Sequence, residues 1–174
     1  MAGRAPRIGL LPAPRGGGSR GRFAVVAGRF NEAVSKKLLD GAVEAFAAHG
    51  ISGRDLEVHW VPGSFELAQA ARALAATGRF AAIVCVGAVI KGATPHFEYV
   101  SSAAAQGITH AALATGVPIS FGVITALTEE QAWERAGGSV GNRGEEAALA
   151  SIEMAEFVRA THTRGGRRSA SRGR

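Results

Sequence analysis

Residues 23–158 alternate between apolar runs and segments with helical periodicity, and this alternation constrains the fold more than any other feature. Four apolar runs have the length and composition of buried strands; they are 23–28, 56–61, 81–90 and 117–125. Helical spacing follows each run, and the helices are predicted at 32–50, 65–78, 95–116, 129–137 and roughly 143–162. Repeated strand–helix units build parallel sheets through right-handed crossovers. We therefore predict an α/β fold, a doubly wound four-stranded parallel sheet with helices on both faces.

The net charge of +6 is distributed unevenly along the 174 residues. Residues 1–22 contain five Arg and no acid, and residues 159–174 contain six Arg and no acid. Residues 23–158 hold the other nine Lys and Arg with all 14 Asp and Glu, a net charge of −5. The tails are rich in Gly and Arg, a composition that favours disorder. We predict one acidic domain over 23–158, a basic N-terminal tail over 1–22 and a basic disordered C-terminal tail over 159–174.

The apolar stretches outside the strands and helices are short. Residues 8–14 are interrupted by Pro12 and are too short for a secretory signal, and no run approaches the 18 residues of a membrane span. Ile8, Leu10 and Leu11 would add a short strand to the first tail or anchor it. Its glycines match G-x-G-x-x-G but precede a strand, so we interpret them as a linker. The sequence predicts a cytoplasmic protein with no membrane partner.

The single cysteine and the scattered histidines favour no metal site. One Cys excludes a disulfide framework and fits a reducing compartment. Cys85 lies in the middle of the third predicted strand, where it is interpreted as a small core residue. Four of the histidines share no metal-ligand spacing with each other or with Cys85; they are His49, His59, His110 and His162.

The junctions between strands and helices are where function is expected. Ligands of doubly wound sheets bind beyond the carboxyl ends of the strands. Four such junctions are readable in the sequence: GRFN (28–31), PGSFE (62–66), KGATPHFE (91–98) and ALTEEQ (126–131).

The third junction has the clearest chemistry. Thr94 is predicted as the N-cap of a helix and Pro95 as its first residue, which places His96 in the first turn. The free N–H groups and positive dipole end of a helix start favour a phosphate or carboxylate. Histidine titrates near neutral pH, so His96 is the best acid–base candidate; the alternative is a solvated histidine at a helix start.

The first two junctions offer weaker candidates. Ser64 is predicted to cap a helix, and Phe65 either packs in the core or presents its ring to a ligand. Glu66 in a first turn is explained by the helix dipole alone, although it is also placed to bind a ligand. Phe30 stands at a strand tip, where a stacking role is plausible, and Asn31 is predicted as a cap.

The last third of the domain adds two arginines. Arg135 and Arg143 are each either a phosphate clamp or a solvated helix charge. The patterns at 128–131 and 142–145 are capping boxes, so they are interpreted as structural.

Several long motifs together carry a family resemblance. They are GRFN, VPGSFELA (61–68), GAVIKGATPHFEYV (87–100), FGVIT (121–125), TEEQAWERAG (128–137) and GNRGEEAA (141–148). In order and spacing, about residues 22–158 resemble the 6,7-dimethyl-8-ribityllumazine synthases. The resemblance implies a flavodoxin-like fold and a transferase of riboflavin biosynthesis. An enzyme of this family condenses 5-amino-6-(D-ribitylamino)uracil with 3,4-dihydroxy-2-butanone 4-phosphate, releases phosphate and water, and is expected to need no cofactor.

The resemblance also implies roles for individual residues. His96 transfers protons, Phe30 stacks on the pyrimidine, and Arg135 of an adjacent subunit faces the phosphate. The ribityl chain is held by Ser64, Phe65 and Glu66. The pyrimidine is lined by main-chain groups of Ala88, Val89 and Ile90. The phosphate is bound by Ala93 and Thr94, and Phe121 joins the site from the adjacent subunit.

The resemblance further implies an assembly. The expected forms are a pentamer or an icosahedral shell of sixty subunits, with each active site shared between neighbours and riboflavin synthase as a further partner.

The sequence departs from the family pattern at two basic positions. Arg143 stands where many members have Lys, and Lys91 stands where Arg is frequent. Arginine carries the same charge as that lysine but presents it with a different geometry, so Arg143 is a candidate for phosphate contact.

Two other classes of function are weighed against the enzyme. A non-catalytic binding or shell protein would keep the pocket without turnover, but every expected junction residue is present. A nucleic-acid binder would need a basic groove or a recognised motif, and the acidic domain has neither. The basic tails alone would give only weak, salt-dependent contacts with polyanions.

Overall fold

A computed structural model describes the backbone over residues 21–170 and the side chains over 21–162. The strands of the main sheet are β1 (Arg22–Gly28), β2 (Leu56–Val61), β3 (Phe80–Ile90) and β4 (Ile119–Ala126). The helices are α1 (Glu32–Ala48), α2 (Leu67–Ala75), α3 (His96–Thr115), α4 (Glu129–Glu134) and α5 (Arg143–Ala170). A short hairpin of β5 (Ala136–Gly138) and β6 (Gly141–Asn142) precedes α5, and one 3₁₀ turn (Gly53–Asp55) precedes β2.

The four main strands form one parallel sheet in the order β2-β1-β3-β4. β1 pairs with β2 from Phe23↔Leu56 to Gly28↔Val61, and with β3 from Arg22↔Phe80 to Ala27↔Val86. The strand order reverses between β1 and β3, which is the switch point where doubly wound sheets open a crevice for ligands. The predicted fold is confirmed, and its switch point is defined by these two strands.

Two apolar cores cover the two faces of the sheet. On one face, Val25 and Val84 pack with α1 and α5. On the other, Val26 and Cys85 pack with α2 and α3. Alternate residues of β1 enter opposite cores, as period-2 geometry requires, which explains why 23–28 is apolar without interruption. Each large apolar side chain buried here contributes about 1.5–3 kcal/mol.

The largest differences from the predicted boundaries lie after β4. α4 ends at Glu134 and not near 137, because β5 and β6 form a hairpin between it and α5. The hairpin was missed because strands of three and two residues carry no periodic signal. α5 continues to Ala170, past its predicted end near 162, so the first part of the predicted C-terminal tail is helical. Residues 1–20 and 171–174, with the expected short strand at Ile8, Leu10 and Leu11, lie outside the described residues.

The start of α5 is fixed against α1 by close backbone contact. The Asn142 side-chain oxygen accepts hydrogen bonds from the N–H groups of Gly144 (2.8 Å) and Glu145 (3.3 Å), which is the cap the sequence predicted. Its amide donates to the Lys37 carbonyl at 2.9 Å. A Cβ on Gly144 would lie 1.9 Å from the Leu38 carbonyl oxygen, so only glycine allows this approach. The hairpin, with Arg135 and Arg143 on either side of it, is therefore held against α1.

A charge cluster ties together the amino ends of β1, β2 and β3. Glu57 on β2 forms ion pairs with Arg22 on β1 and with Arg79, which directly precedes β3. His59 contacts the other Glu57 oxygen at 3.2 Å. Desolvation raises the pKa of Glu57, but the hydrogen bond with His59 and the two guanidinium charges outweigh it and hold the pKa below its usual range.

The lowered pKa of Glu57 predicts a pH-dependent contribution to stability. The unfolded chain binds this proton at higher pH than the folded chain, so the stabilisation is complete above the unfolded value of about 4.3 and is lost as the pH falls through the folded value. Glu57→Gln should lower the urea midpoint at pH 7, and the difference from the wild type should shrink from about pH 5 downwards. Urea unfolding at several pH values measures this; a difference independent of pH would contradict it.

Among the described residues, none of the helices is long and apolar enough to cross a membrane.

Candidate active site

A cavity of about 420 Å³ lies beyond the carboxyl ends of β1, β2 and β3, at the switch point of the sheet. Three of the four predicted junctions meet there. Its lining residues come from the turn after β1, the turn after β2, and the stretch from the end of β3 to the first turns of α3; they are Phe30, Pro62, Gly63, Ser64, Phe65, Glu66, Ala88, Val89, Ile90, Gly92, Thr94, His96, Phe97 and Val100. Nine of the predicted site residues are in this set.

Backbone hydrogen bonds join the first two junctions. The Arg29 N–H donates to the Val61 carbonyl at 2.8 Å, and the Phe30 N–H donates to the Pro62 carbonyl at 2.9 Å. These bonds continue the β1–β2 ladder past the ends of both strands. Phe30 is 74% exposed although its main-chain N–H is hydrogen-bonded. A large aromatic ring exposed at a cavity is available to stack on a planar ligand.

Ser64 and Glu66 differ from their predicted local roles. Ser64 does not cap α2, because the helix begins at Leu67 with Glu66 at the N-cap position. Ser64 is instead buried in the turn, where a Cβ on Gly87 would lie 2.7 Å from its hydroxyl oxygen. The absence of a side chain at Gly87 therefore lets the turn close onto β3. Phe65 is 61% exposed at the cavity, so the core alternative for it is wrong.

The start of α3 forms another wall of the cavity. His96 is the first helical residue and is exposed, as the first-turn prediction required. The cap prediction is wrong: Pro95 occupies the N-cap position, and no side-chain hydrogen bond caps the helix. Thr94 is exposed at the cavity, and its hydroxyl is not committed to capping. The Glu98 N–H donates to the Pro95 carbonyl at 2.9 Å. The amide groups of His96 and Phe97, with the positive end of the helix dipole, are therefore what favour an anion at this end of α3.

Asn31 is the residue whose role the sequence missed. It occupies the N-cap position of α1 with φ 61° and ψ 46°, and its side chain does not cap the helix. Its amide instead donates to the Ala88 carbonyl at 3.0 Å. The sequence contains no signal for this bond, because Asn31 and Ala88 are brought together only by the pairing of β1 with β3.

Four predicted site residues do not line this cavity. Ala93 is exposed and lies between two lining residues. Phe121, on the edge strand β4, is 43% exposed. Arg135 and Arg143 lie on the opposite sides of the hairpin, where the Arg143 N–H donates to the Arg135 carbonyl at 2.9 Å. The chain therefore brings the backbones of the two arginines together, and neither arginine lines the chain's own cavity.

The two arginines keep donors available for a further ligand. Arg135 donates to the Gln131 carbonyl at 3.0 Å and lies 3.7 Å from a Glu134 oxygen. Arg143 pairs with Glu146, one turn later on α5. A guanidinium has five N–H donors, so these contacts do not exhaust it. Both side chains are partly exposed and each is paired with one acid, so the two arginines offer unused N–H donors beside the hairpin.

Neither Cys85 nor any of the four other histidines lines the cavity. Cys85 is fully buried in β3, and burial raises the pKa of its thiol to about 12, which makes it a poor nucleophile. His59 belongs to the Glu57 cluster, and His49 contacts the Ala45 carbonyl at 2.8 Å. Within the described part of the chain, His, Cys, Asp and Glu form no group that could hold a metal ion.

Comparison with known proteins gives one consistent family. The family model described as 6,7-dimethyl-8-ribityllumazine synthase matches residues 20–159. The chain is 51% identical over 138 residues to a protein of Syntrophus aciditrophicus (strain SB) named 6,7-dimethyl-8-ribityllumazine synthase. The alignment covers 79% of this chain and 90% of that protein. The match to the family model spans the sheet, the cavity and the hairpin.

Proposed function

Because the chain belongs to the 6,7-dimethyl-8-ribityllumazine synthase family, we propose that the cavity at the switch point holds the two substrates of that reaction. The enzyme is a transferase of riboflavin biosynthesis. It joins 5-amino-6-(D-ribitylamino)uracil to 3,4-dihydroxy-2-butanone 4-phosphate, and forms the lumazine with release of one phosphate and two waters. The observation that carries the proposal is the convergence of three junctions on one cavity.

The pyrimidine binds between Phe30 and the end of β3. The exposed Phe30 ring stacks on the heterocycle, and main-chain groups of Ala88, Val89 and Ile90 form hydrogen bonds at its edge. All four residues line the cavity, which supports this assignment. A planar ring held between an aromatic face and a strand end is fixed in orientation, and fixed orientation supplies up to about 7–11 kcal/mol of a two-substrate barrier.

The ribityl chain binds along the turn after β2. Ser64, Phe65 and Glu66 line the same cavity as Phe30, and the Glu66 N–H donates to the Gly63 carbonyl at 3.3 Å within that turn. A polyhydroxylated chain needs acceptors as well as donors, which a carboxylate and main-chain groups provide. The Glu66 carboxylate accepts hydrogen bonds from the ribityl hydroxyls.

The phosphate binds at the start of α3. Ala93 and Thr94 precede the helix, and the amide groups and dipole of its first turn attract the dianion. Arg135 of an adjacent subunit closes the site as a charge-assisted donor. Arg143 is a further candidate for phosphate contact, since it lies beside Arg135 and is partly exposed.

His96 transfers protons during the condensation. Imine formation, phosphate elimination and ring closure each move a proton, and one acid–base group beside the phosphate serves several of these steps. His96 is exposed at the cavity, on the first turn of the helix that attracts the phosphate. The imidazole takes a proton from the carbon skeleton as phosphate leaves, and returns one to the hydroxyl group that departs as water.

The active site is shared between subunits of a pentamer, alone or within an icosahedral shell of sixty copies. Phe121 and Arg135 belong to the site by resemblance but do not line the chain's own cavity. A head-to-tail ring lets each copy complete the cavity of its neighbour. This assignment gives the exposed Phe121 ring and the Arg135 guanidinium a binding partner.

The remaining assignments concern the location of the enzyme, its partner protein and the role of the two tails. The enzyme works in the cytoplasm, with riboflavin synthase as a further partner, and the catalytic unit is the domain over 23–158. The tails take no part in catalysis, and they make only weak contacts with polyanions. A chain of residues 21–162 should therefore keep its turnover.

Mixing the two substrates with the purified protein tests the function. The lumazine absorbs and fluoresces, and orthophosphate is measured independently, so we expect the two products to appear in a one-to-one ratio. Omission of either substrate should stop the formation of lumazine. If micromolar protein binds the lumazine but forms none, the chain is a binding protein and the proposal fails.

A further inference from the structure

The turn after β1 is held on two sides. On one side its backbone bonds to the turn after β2, through Arg29 and Phe30. On the other side, the Asn31 amide donates to the Ala88 carbonyl at 3.0 Å. The side chain that follows Phe30 in sequence therefore connects the turn to the β3 end of the cavity.

The Asn31 amide extends the sheet where β1 has ended. The β1–β3 pairing runs to Ala27↔Val86, and alternate residues of a strand direct their carbonyls to the same neighbour. Ala88, two residues beyond Val86, is 1% exposed and lacks a β1 residue opposite it in that pairing. A buried carbonyl requires a donor, and Asn31 supplies it.

The backbone of Asn31 is also unusual. It is the one non-glycine residue with positive φ in the described chain, at 61°. Asparagine tolerates this left-handed conformation better than most residues, and glycine tolerates it best. The Asn31 carbonyl then accepts the first N–H groups of α1, from Val34 and Ser35, both at 3.1 Å.

We propose that Asn31 is a positioning residue for the pyrimidine substrate: its bond to Ala88 sets the spacing between Phe30 and the end of β3. The inference rests on the proposed function, because it assumes that the heterocycle lies between those two walls. If the Asn31 amide is lost, the Phe30 wall keeps its bonds to the turn after β2 but loses its bond to β3. Binding of the pyrimidine then weakens, while the phosphate site at the start of α3 is unchanged.

Two substitutions separate the amide from the backbone conformation. Asn31→Gly keeps the left-handed turn without strain and removes the donor. Asn31→Asp keeps the size of the side chain and directs a carboxylate oxygen at the Ala88 carbonyl. We expect the KM for the pyrimidine to rise about tenfold in Asn31→Gly, the effect of one lost hydrogen bond, and further in Asn31→Asp. The KM for the phosphate-bearing substrate should change less than about twofold, as for a site far from the change.

The control is Lys36→Ala on the same helix, which removes an exposed pair with Asp40 and should leave both KM values unchanged. Equilibrium binding of the lumazine product, followed by its fluorescence, is measured for all four proteins whether or not they turn over. Weaker product binding in both Asn31 variants supports the proposal. Unchanged binding, equal increases in both KM values, or an Asn31→Gly protein that does not fold would overturn it. Failure of the wild type to turn over, with product binding intact, would refute the proposed function alone.

Discussion

Replacing His96 with alanine is expected to lower kcat about 100-fold while the fold is retained, because a positioned acid–base group typically contributes 10²–10⁴-fold. We expect a loss at the lower end of this range, because the condensation also depends on the orientation of the two substrates, and this substitution does not change their orientation. His96 is exposed at the first residue of α3, so its removal leaves no buried cavity and no unpaired buried group. Stopped-flow absorbance at saturating substrates measures the effect, and circular dichroism checks the fold.

His110→Ala is the matched control for His96→Ala. His110 is an exposed histidine on the same helix and does not line the substrate cavity. Its removal should leave kcat unchanged. If both variants retain full kcat, His96 does not transfer protons in the rate-limiting step. If both lose it equally, the effect belongs to the helix and not to the imidazole.

Replacing Arg135 with alanine should raise the KM for 3,4-dihydroxy-2-butanone 4-phosphate between about 10- and 150-fold. A hydrogen bond to a charged group contributes about 1.5–3 kcal/mol, which corresponds to this range. The KM for the pyrimidine should change little, because the guanidinium lies at the phosphate end of the proposed site. Initial rates with each substrate varied in turn measure the two KM values.

Two further variants test whether the effect of Arg135→Ala is specific to the guanidinium and to its position. Arg135→Lys keeps the charge without the bidentate geometry, so it should recover only part of the loss. Arg72→Ala removes an exposed arginine on α2 and should leave both KM values unchanged. Equal increases in the two KM values of Arg135→Ala would show that the arginine supports the hairpin and does not bind phosphate.

The fold was predictable from the sequence because its main elements are long and periodic. The apolar run at 81–90 is β3, one of the two inner strands of the sheet, and the helix predicted at 95–116 is α3. The hairpin at 136–142 was not predictable, because its pairing covers few residues and is held by Asn142 and by the close contact of α1 with α5. Contacts between distant segments decide such local structure.

The site was predictable at the level of junctions and less so at the level of individual bonds. His96 was expected in the first turn of α3, because a proline just before it favours a helix start there. Ser64 and Asn31 were both predicted as caps from residue type alone. In the structure the Ser64 side chain lies against Gly87 of β3, and the Asn31 amide donates to the Ala88 carbonyl of β3. Neither contact is predictable from the residues adjacent in sequence.

Mixed assemblies of His96→Ala and Arg135→Ala test most directly whether one cavity is completed by a neighbouring copy. Each variant alone should be poorly active at a low concentration of the phosphate-bearing substrate. Co-expression of the two, with different tags and purification over both, places an intact His96 of one copy beside an intact Arg135 of the next in about a quarter of the sites of a ring. We therefore expect about a quarter of wild-type activity per subunit; a mixed assembly no more active than the average of its two parents would contradict the shared site.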